Sequence, residues 1–379
     1  MTAREALAWS VTALLVAALG AQTPAPEPES PFALLERIRS EHGVVALAAC
    51  VVHGGEVAQL VAVGKRRRGG SEAVTVDDRW HLGSCTKAMT ATLCGMFVDE
   101  ERVKFESTLP ELFPSLGDGM HAGWRKVTLR DLLRHRSGMS ANPFVDGLWR
   151  RMAEHEGPLP AMRAEVAEEL LSRAPEFEDG TFHYSNAGYI VAGALLERIT
   201  GKSWEDLMRE RLFTPLGMTS AGFGPPGVAD RDEQPCGHLG AERATPVRPG
   251  PGADNPAALG PAGTVHASLR DWARFIALQL GHDSHDPPLI RKETLADLHR
   301  PPEGGEYACG FGVTKRPWTK GVVLTHSGSN TMWYCVVWAA PADDFAVLVA
   351  CNQAGAKAEH AVDAAAGEWI ERFALPAKR

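Results

Sequence analysis

Between residues 81 and 101 the chain reads HLGSCTKAMTATLCGMFVDEE, with Ser84 followed three positions later by Lys87. On a helix these two side chains share a face, and the amine can reach the hydroxyl. A serine in a first helical turn lies beside unpaired N–H groups and the positive end of the dipole, which favour negative charge developing there. Burial would lower the lysine pKa and leave an amine able to accept a proton. The pair therefore has the makings of a nucleophile and its base. The same residues would also serve as a helix N-cap with a solvated lysine behind it.

Two further stretches carry residues of matching chemistry. In FHYSNAGYIVAG, Tyr184 and Asn186 stand two apart just before a helix, so in an extended segment both point the same way. A phenol near an ammonium ion can ionise and take a serine's proton, and the Asn amide offers a donor and an acceptor to a substrate amide. A buried aromatic beside a polar helix cap is the competing reading. In VVLTHSGSNTMWY, His326, Ser327 and Gly328 end a strand that would wall a cleft, with Gly328 leaving room for a substrate backbone. The N–H of Ser329 could then join that of Ser84 as an oxyanion donor. A strand end followed by a polar turn is the plainer alternative. Arg136-Ser137-Gly138 shows a similar pattern but follows a helix and reads as its cap.

These residues need elements to hold them. The segment PFALLERIRSEHG has helical spacing, and VVALAACVVHGGEVAQLVAVG reads as two strands joined at His53-Gly54-Gly55. A helix follows from Ser84 to about Arg102, and the middle of the chain is mainly helical. Thr128 and Ser203 stand where N-caps would. Residues 222 to 263 are rich in Gly and Pro and read as a long loop at the rim of a cleft. Short apolar strands return in the last third, and a helix over about Lys357 to Leu375 closes the chain. The pattern predicts an α+β fold, with an antiparallel sheet built from both chain ends. The sheet lobe would take residues 31–83 and 265–379, and an inserted helical lobe residues 84–264.

The 379 residues carry a net charge of −8 and are 44% apolar, an ordinary globular composition with no footprint for nucleic acid. The one basic run, Lys65 to Arg68, reads as a solvated hairpin tip. Seven cysteines with no C-x-x-C argue against a disulfide framework or a zinc site. Cys335 and Cys351 could face each other across a hairpin, but a bridge there is not expected. GHDSHD at 281–286 lacks any known ligand spacing, and no metal is expected. Apolar residues from Ala6 to Leu19, followed by small residues, predict a signal peptide over 1–21. A Pro/Glu-rich linker spans 22–30, and the mature protein is expected in a periplasm or outside the cell.

Taken together, the S-x-x-K at Ser84, Tyr184-Ser185-Asn186 and His326-Ser327-Gly328 resemble the serine β-lactamase and penicillin-binding-protein superfamily. The likeness is to the branch of class C β-lactamases, D-alanyl-D-alanine carboxypeptidases and esterases. It runs from about Pro31 to the C-terminus and includes TLRDLLRHRSGM and DDFAVLVACNQ. The resemblance implies a β-lactamase/transpeptidase-like fold and a serine hydrolase of the carboxypeptidase or esterase type. It implies attack by Ser84, proton transfer by Lys87 and Tyr184, and substrate binding by Asn186, His326, Ser327 and Gly328. The N–H groups of Ser84 and Ser329 would hold the oxyanion. No cofactor is implied, and the partner is a small-molecule or peptide substrate, possible sources including peptidoglycan. A fold retained only for binding, with no turnover, is the rival reading. The β-lactamases of this branch usually carry Lys where His326 stands, so weak or absent β-lactamase activity is expected.

Overall fold

The computed structural model describes residues 29–240 and 242–374. The predicted signal segment 1–21, and its linker up to residue 28, lie outside the described residues. Among the described residues, eleven strands fall into three sheets. The largest holds β1 (Ala46–His53), β2 (Glu56–Gly64), β8 (Gly312–Lys315), β9 (Val322–Ser329), β10 (Tyr334–Ala340) and β11 (Phe345–Cys351). Its order is β2-β1-β11-β10-β9-β8, antiparallel throughout, so the two chain ends do build one sheet. A three-stranded sheet joins β3 (Arg79–His81), β4 (Gly222–Phe223) and β7 (Val265–Ser268). A small hairpin pairs β5 (Gly237–Leu239) with β6 (Thr245–Val247).

Strand β1 shows why the sheet is central. Residues 46–52 are all buried, because successive side chains enter different cores. Leu47, Ala49 and Val51 pack beneath the helices Pro31–His42 and Ala356–Phe373. Ala48, Cys50 and Val52 face the larger core, to which the helix Thr86–Asp99 also contributes. The turn between β1 and β2 has both Gly54 and Gly55 at positive φ, the conformation a tight hairpin demands. In the helical lobe, the helix Thr86–Asp99 is buried from Thr86 to Phe97. An almost uncharged run of small and apolar residues allows a helix to be enclosed on every side.

Several expectations need correcting. Residues 222–263 hold β4, the β5–β6 hairpin, a 3-10 turn at Ala257–Leu259 and a short helix at Gly260–Gly263, rather than one open loop. The basic run is solvated only in part: Lys65 and Arg68 are exposed, whereas the two arginines between them are paired. Arg66 grips Asp78 at 2.9 and 2.6 Å, and Arg67 pairs with Asp232 at 3.0 Å. Cys335 and Cys351 are not opposed, since the β10–β11 register pairs Cys335 with Ala350 and Tyr334 with Cys351. Their thiols enter the two different cores, and all seven cysteines are free.

Candidate active site

Ser84 occupies a 3-10 turn, Gly83–Cys85, that runs directly into the helix beginning at Thr86. It is half-buried, whereas Lys87 is fully buried. The Lys87 Nζ lies 3.1 Å from Ser84 Oγ, 2.7 Å from Asn186 Oδ1 and 2.7 Å from the Ala262 carbonyl oxygen. Burial in this apolar setting pushes the Lys87 pKa down to about 7.

The Tyr184–Asn186 segment is extended because its neighbours hold it from both sides. Ser185 points away from Tyr184 and Asn186. Its hydroxyl donates to the Ser140 carbonyl at 2.6 Å and accepts from Gly188 N–H at 2.9 Å, capping the helix Asn186–Thr200. That leaves Tyr184 and Asn186 facing Ser84 and Lys87. Burial raises the Tyr184 pKa above the ordinary phenol value. Burial therefore holds the phenol protonated at neutral pH, against the phenolate that the motif suggested.

Three residues outside the motifs complete the arrangement. Asn142 Oδ1 accepts from Asn186 Nδ2 at 2.8 Å and so fixes which end of the Asn186 amide faces Lys87. His135 packs its ring against Tyr184 with centroids 4.3 Å apart, and its Nδ1 accepts from Ser185 N–H at 3.0 Å. Tyr307 places its hydroxyl 3.0 Å from His326 Nε2. Asn142 and Tyr307 belong to no periodic segment, and only His135, inside the quoted LLRHRSGM, had a sequence signal. Replacing Asn142 with Ala removes one hydrogen bond, worth about 1 kcal/mol net. The expected result is a drop of about fivefold in kcat/KM, read from steady-state ester hydrolysis, with the melting temperature lowered by no more than about 2–4 °C.

The strand β9 differs most from expectation. His326 Nδ1 lies 2.5 Å from the Ser327 carbonyl, which can only accept, so Nδ1 carries the hydrogen. Its Nε2 lone pair then takes the Tyr307 hydroxyl. Both ring nitrogens are committed, and burial together with the nearby Lys87 charge lowers the His326 pKa to about 4. Ser327 is exposed and pairs with Val336 across β9 and β10. At Gly328 the space where a substrate backbone was expected is filled by the protein itself. A Cβ there would lie 2.0 Å from the Leu82 carbonyl oxygen. Gly83, at φ +48°, makes the reciprocal approach, since a Cβ on it would lie 2.4 Å from Ser329 N. The two glycines lock the Ser84 turn against the end of β9.

A cavity of about 330 Å³ opens at Ser84, and β9 reaches it with Ser329 rather than with residues 326–328. Asn142, Asn186, Asn255, Asn330, Phe144 and Trp149 supply its polar and aromatic walls. Among the described residues, no charged side chain lines it. Trp149 and Asn255 also line a neighbouring cavity of about 570 Å³ that contains Phe223 and Arg209. No cluster of His, Cys, Asp and Glu able to hold a metal occurs among the described residues.

The Beta-lactamase family model matches residues 16–368. The chain belongs to that family. It is similar to penicillin-binding protein 4 of Amycolatopsis lactamdurans, with 31% identity over 65% of this chain and 62% of that protein. It is also similar to the D-aminopeptidase of Brucella ovis, with 29% identity over 81% of this chain and 56% of that protein. The chain thus spans little more than half the length of these relatives. Among solved structures, the class C β-lactamase of Rhodobacter sphaeroides superposes with a TM-score of 0.72 at 20% identity. That match covers 89% of this chain and 98% of the other, and gives the β-lactamase/transpeptidase-like fold. Ser84, Lys87, Tyr184, Asn186 and His326 all lie within the span matched by the family model.

Proposed function

We propose that the protein is a serine hydrolase that acylates Ser84 with an amide or ester bearing no carboxylate next to the scissile bond. The observation that carries this reading is the environment of Lys87. A neutral amine has two N–H groups and one lone pair. Asn186 Oδ1 and the Ala262 carbonyl, both acceptors at 2.7 Å, take the two hydrogens. In that form the lone pair is left for Ser84 Oγ, 3.1 Å away, and can accept its proton. As Oγ attacks the substrate carbonyl carbon, its proton passes to Lys87. The oxyanion forms against the N–H groups of Ser84 and Ser329. When the intermediate collapses, the proton leaves with the departing amine or alkoxide by way of the Tyr184 hydroxyl. Water then takes the leaving group's place, and the same groups act in reverse.

Substrate preference follows from charge. A carboxylate entering this cleft loses water and meets no cation in its walls, because His326 is neutral and both its nitrogens are occupied. Esters and amides with apolar neighbours suit the aromatic rim at Phe144 and Trp149 better. The names of relatives, a D-aminopeptidase and a lovastatin esterase of Penicillium rubens, accord with this class. Export by residues 1–21 remains part of the proposal, and N-terminal sequencing of the expressed protein tests it.

The deciding experiment is intact-mass spectrometry after exposure to a nitrophenyl ester, a fluorescent penicillin and a D-Ala-D-Ala peptide, with product release assayed in the same tubes. The expected result is an adduct or turnover in wild type that disappears in Ser84→Ala, with the ester preferred. An adduct surviving in Ser84→Ala would reject the nucleophile, and preference for penicillin or the peptide would reject the substrate class.

A further inference from the structure

Both proposed oxyanion donors connect to one carboxylate that no motif contains. Asp254 belongs to the Gly/Pro-rich segment, and its side chain is buried between β3 and the turn after β9. Its Oδ2 accepts from His81 Nε2 at 2.7 Å. Its Oδ1 accepts from Asn330 Nδ2 at 2.9 Å and from Asn255 N–H at 2.8 Å. His81 and Asn330 are themselves buried.

The tautomer of His81 follows from these contacts. Its Nδ1 accepts the Gly83 N–H at 3.1 Å, so Nε2 must hold the hydrogen and donate to Asp254. Asp254 is thereby the acceptor of this hydrogen bond. Three donors satisfy the carboxylate, which offsets the cost of burying it. On the other arm, Asn330 Oδ1 accepts the Met332 N–H at 3.2 Å and closes the turn that follows Ser329.

We propose that Asp254 is a positioning residue for hydrolysis at Ser84. Through His81 and Gly83 it sets the Ser84 N–H, and through Asn330 it sets the Ser329 N–H. A single rigid carboxylate thereby fixes the spacing between two donors that come from segments more than 240 residues apart. Asn255, the next residue, lines the cavity. The loop that meets substrate therefore also carries the clamp. The proposal rests on the reading of Ser84 and Ser329 given above.

The test uses Asp254→Ala, Asn330→Ala and the double variant of the full chain, with nitrophenyl ester kinetics and binding of an arylboronic acid. The boronate forms a tetrahedral adduct with a serine and directs one oxygen at the oxyanion donors. Displaced donors should lower kcat of Asp254→Ala by about 10–100-fold with KM little changed. Boronate affinity should fall by a similar factor. The Asn330→Ala loss should shrink in the Asp254→Ala background, the mark of a shared network. A role in folding alone would lower the melting temperature without this split between kcat and KM.

If Asp254→Ala does not fold, Asp254→Asn decides. Its amide must set an N–H against either His81 or Asn330, and so breaks one arm while keeping the shape. Unchanged kcat and boronate affinity in a folded Asp254 variant would overturn the clamp. Failure of wild type itself to bind boronate or turn over ester would instead count against Ser84 as the nucleophile.

Discussion

Lys87→Arg should lower kcat/KM for a neutral ester by about 10²–10⁴-fold, the range expected for loss of a general base. The substitution keeps positive charge and hydrogen-bond donors but removes the one feature the proposed mechanism needs, an amine that can be uncharged. Arginine does not deprotonate in a protein, so no lone pair would face Ser84. Lys87→Met, which keeps length without charge, should fall by a similar amount. If Arg retained activity while Met lost it, Lys87 would be an electrostatic anchor rather than a base. The pH profile of wild type provides a second reading. Burial lowers the Lys87 pKa to about 7, and the active form is the unprotonated one. Hence kcat/KM should rise about tenfold per pH unit on the acid side and level off above about pH 7. His326, with its pKa lowered to about 4, is already neutral across that range and adds no second limb. Tyr184, raised by burial, stays protonated there too. A profile flat across the acid limb would remove Lys87 from the role.

The meeting of Ser84, Lys87 and Asn186 was legible because each sits on the local structure its sequence encodes. Alternation in Tyr184-Ser185-Asn186 sends Ser185 to Ser140 and leaves Tyr184 and Asn186 facing Lys87. The sheet was legible for the same reason, since β1 and β11 are apolar runs bounded by turn residues. What escaped were contacts between distant segments. Gly328 is as small as a cleft wall requires, yet the atom that needs the space is the Leu82 carbonyl oxygen. The basic run looked solvated because the partner of Arg67, Asp232, lies 165 residues away. Cys335 and Cys351 miss each other by one residue of register, which sends their side chains to opposite faces and agrees with the expectation of no bridge. Asn142, Tyr307 and Asp254 enter the site from irregular segments, where a single sequence offers neither period nor motif.

The interlocked glycines lead to the other large effect. Gly83→Ala should reduce kcat by about 10²–10³-fold, the cost of losing one oxyanion donor. The added Cβ would lie 2.4 Å from Ser329 N and 2.8 Å from the Gly328 carbonyl carbon. Both are backbone atoms that cannot rotate away, so the Ser84 turn and the end of β9 must separate. Gly328→Ala forces the same surfaces apart from the other side, against Leu82, and should give the same kinetic result. Strain must be distinguished from displacement, because Gly83 also has a positive φ. Gly43→Ala supplies the control, having φ +66° with open space around its would-be Cβ. It should cost about 1–2 kcal/mol of stability through left-handed strain, with kcat unchanged. Melting curves and steady-state kinetics on the three variants separate the two contributions. If Gly83→Ala matched Gly43→Ala in both measurements, the oxyanion could not lie between Ser84 and Ser329. A kcat loss shared by Gly83→Ala and Gly328→Ala but absent from Gly43→Ala would place it there, because only those two substitutions part the same pair of backbone segments.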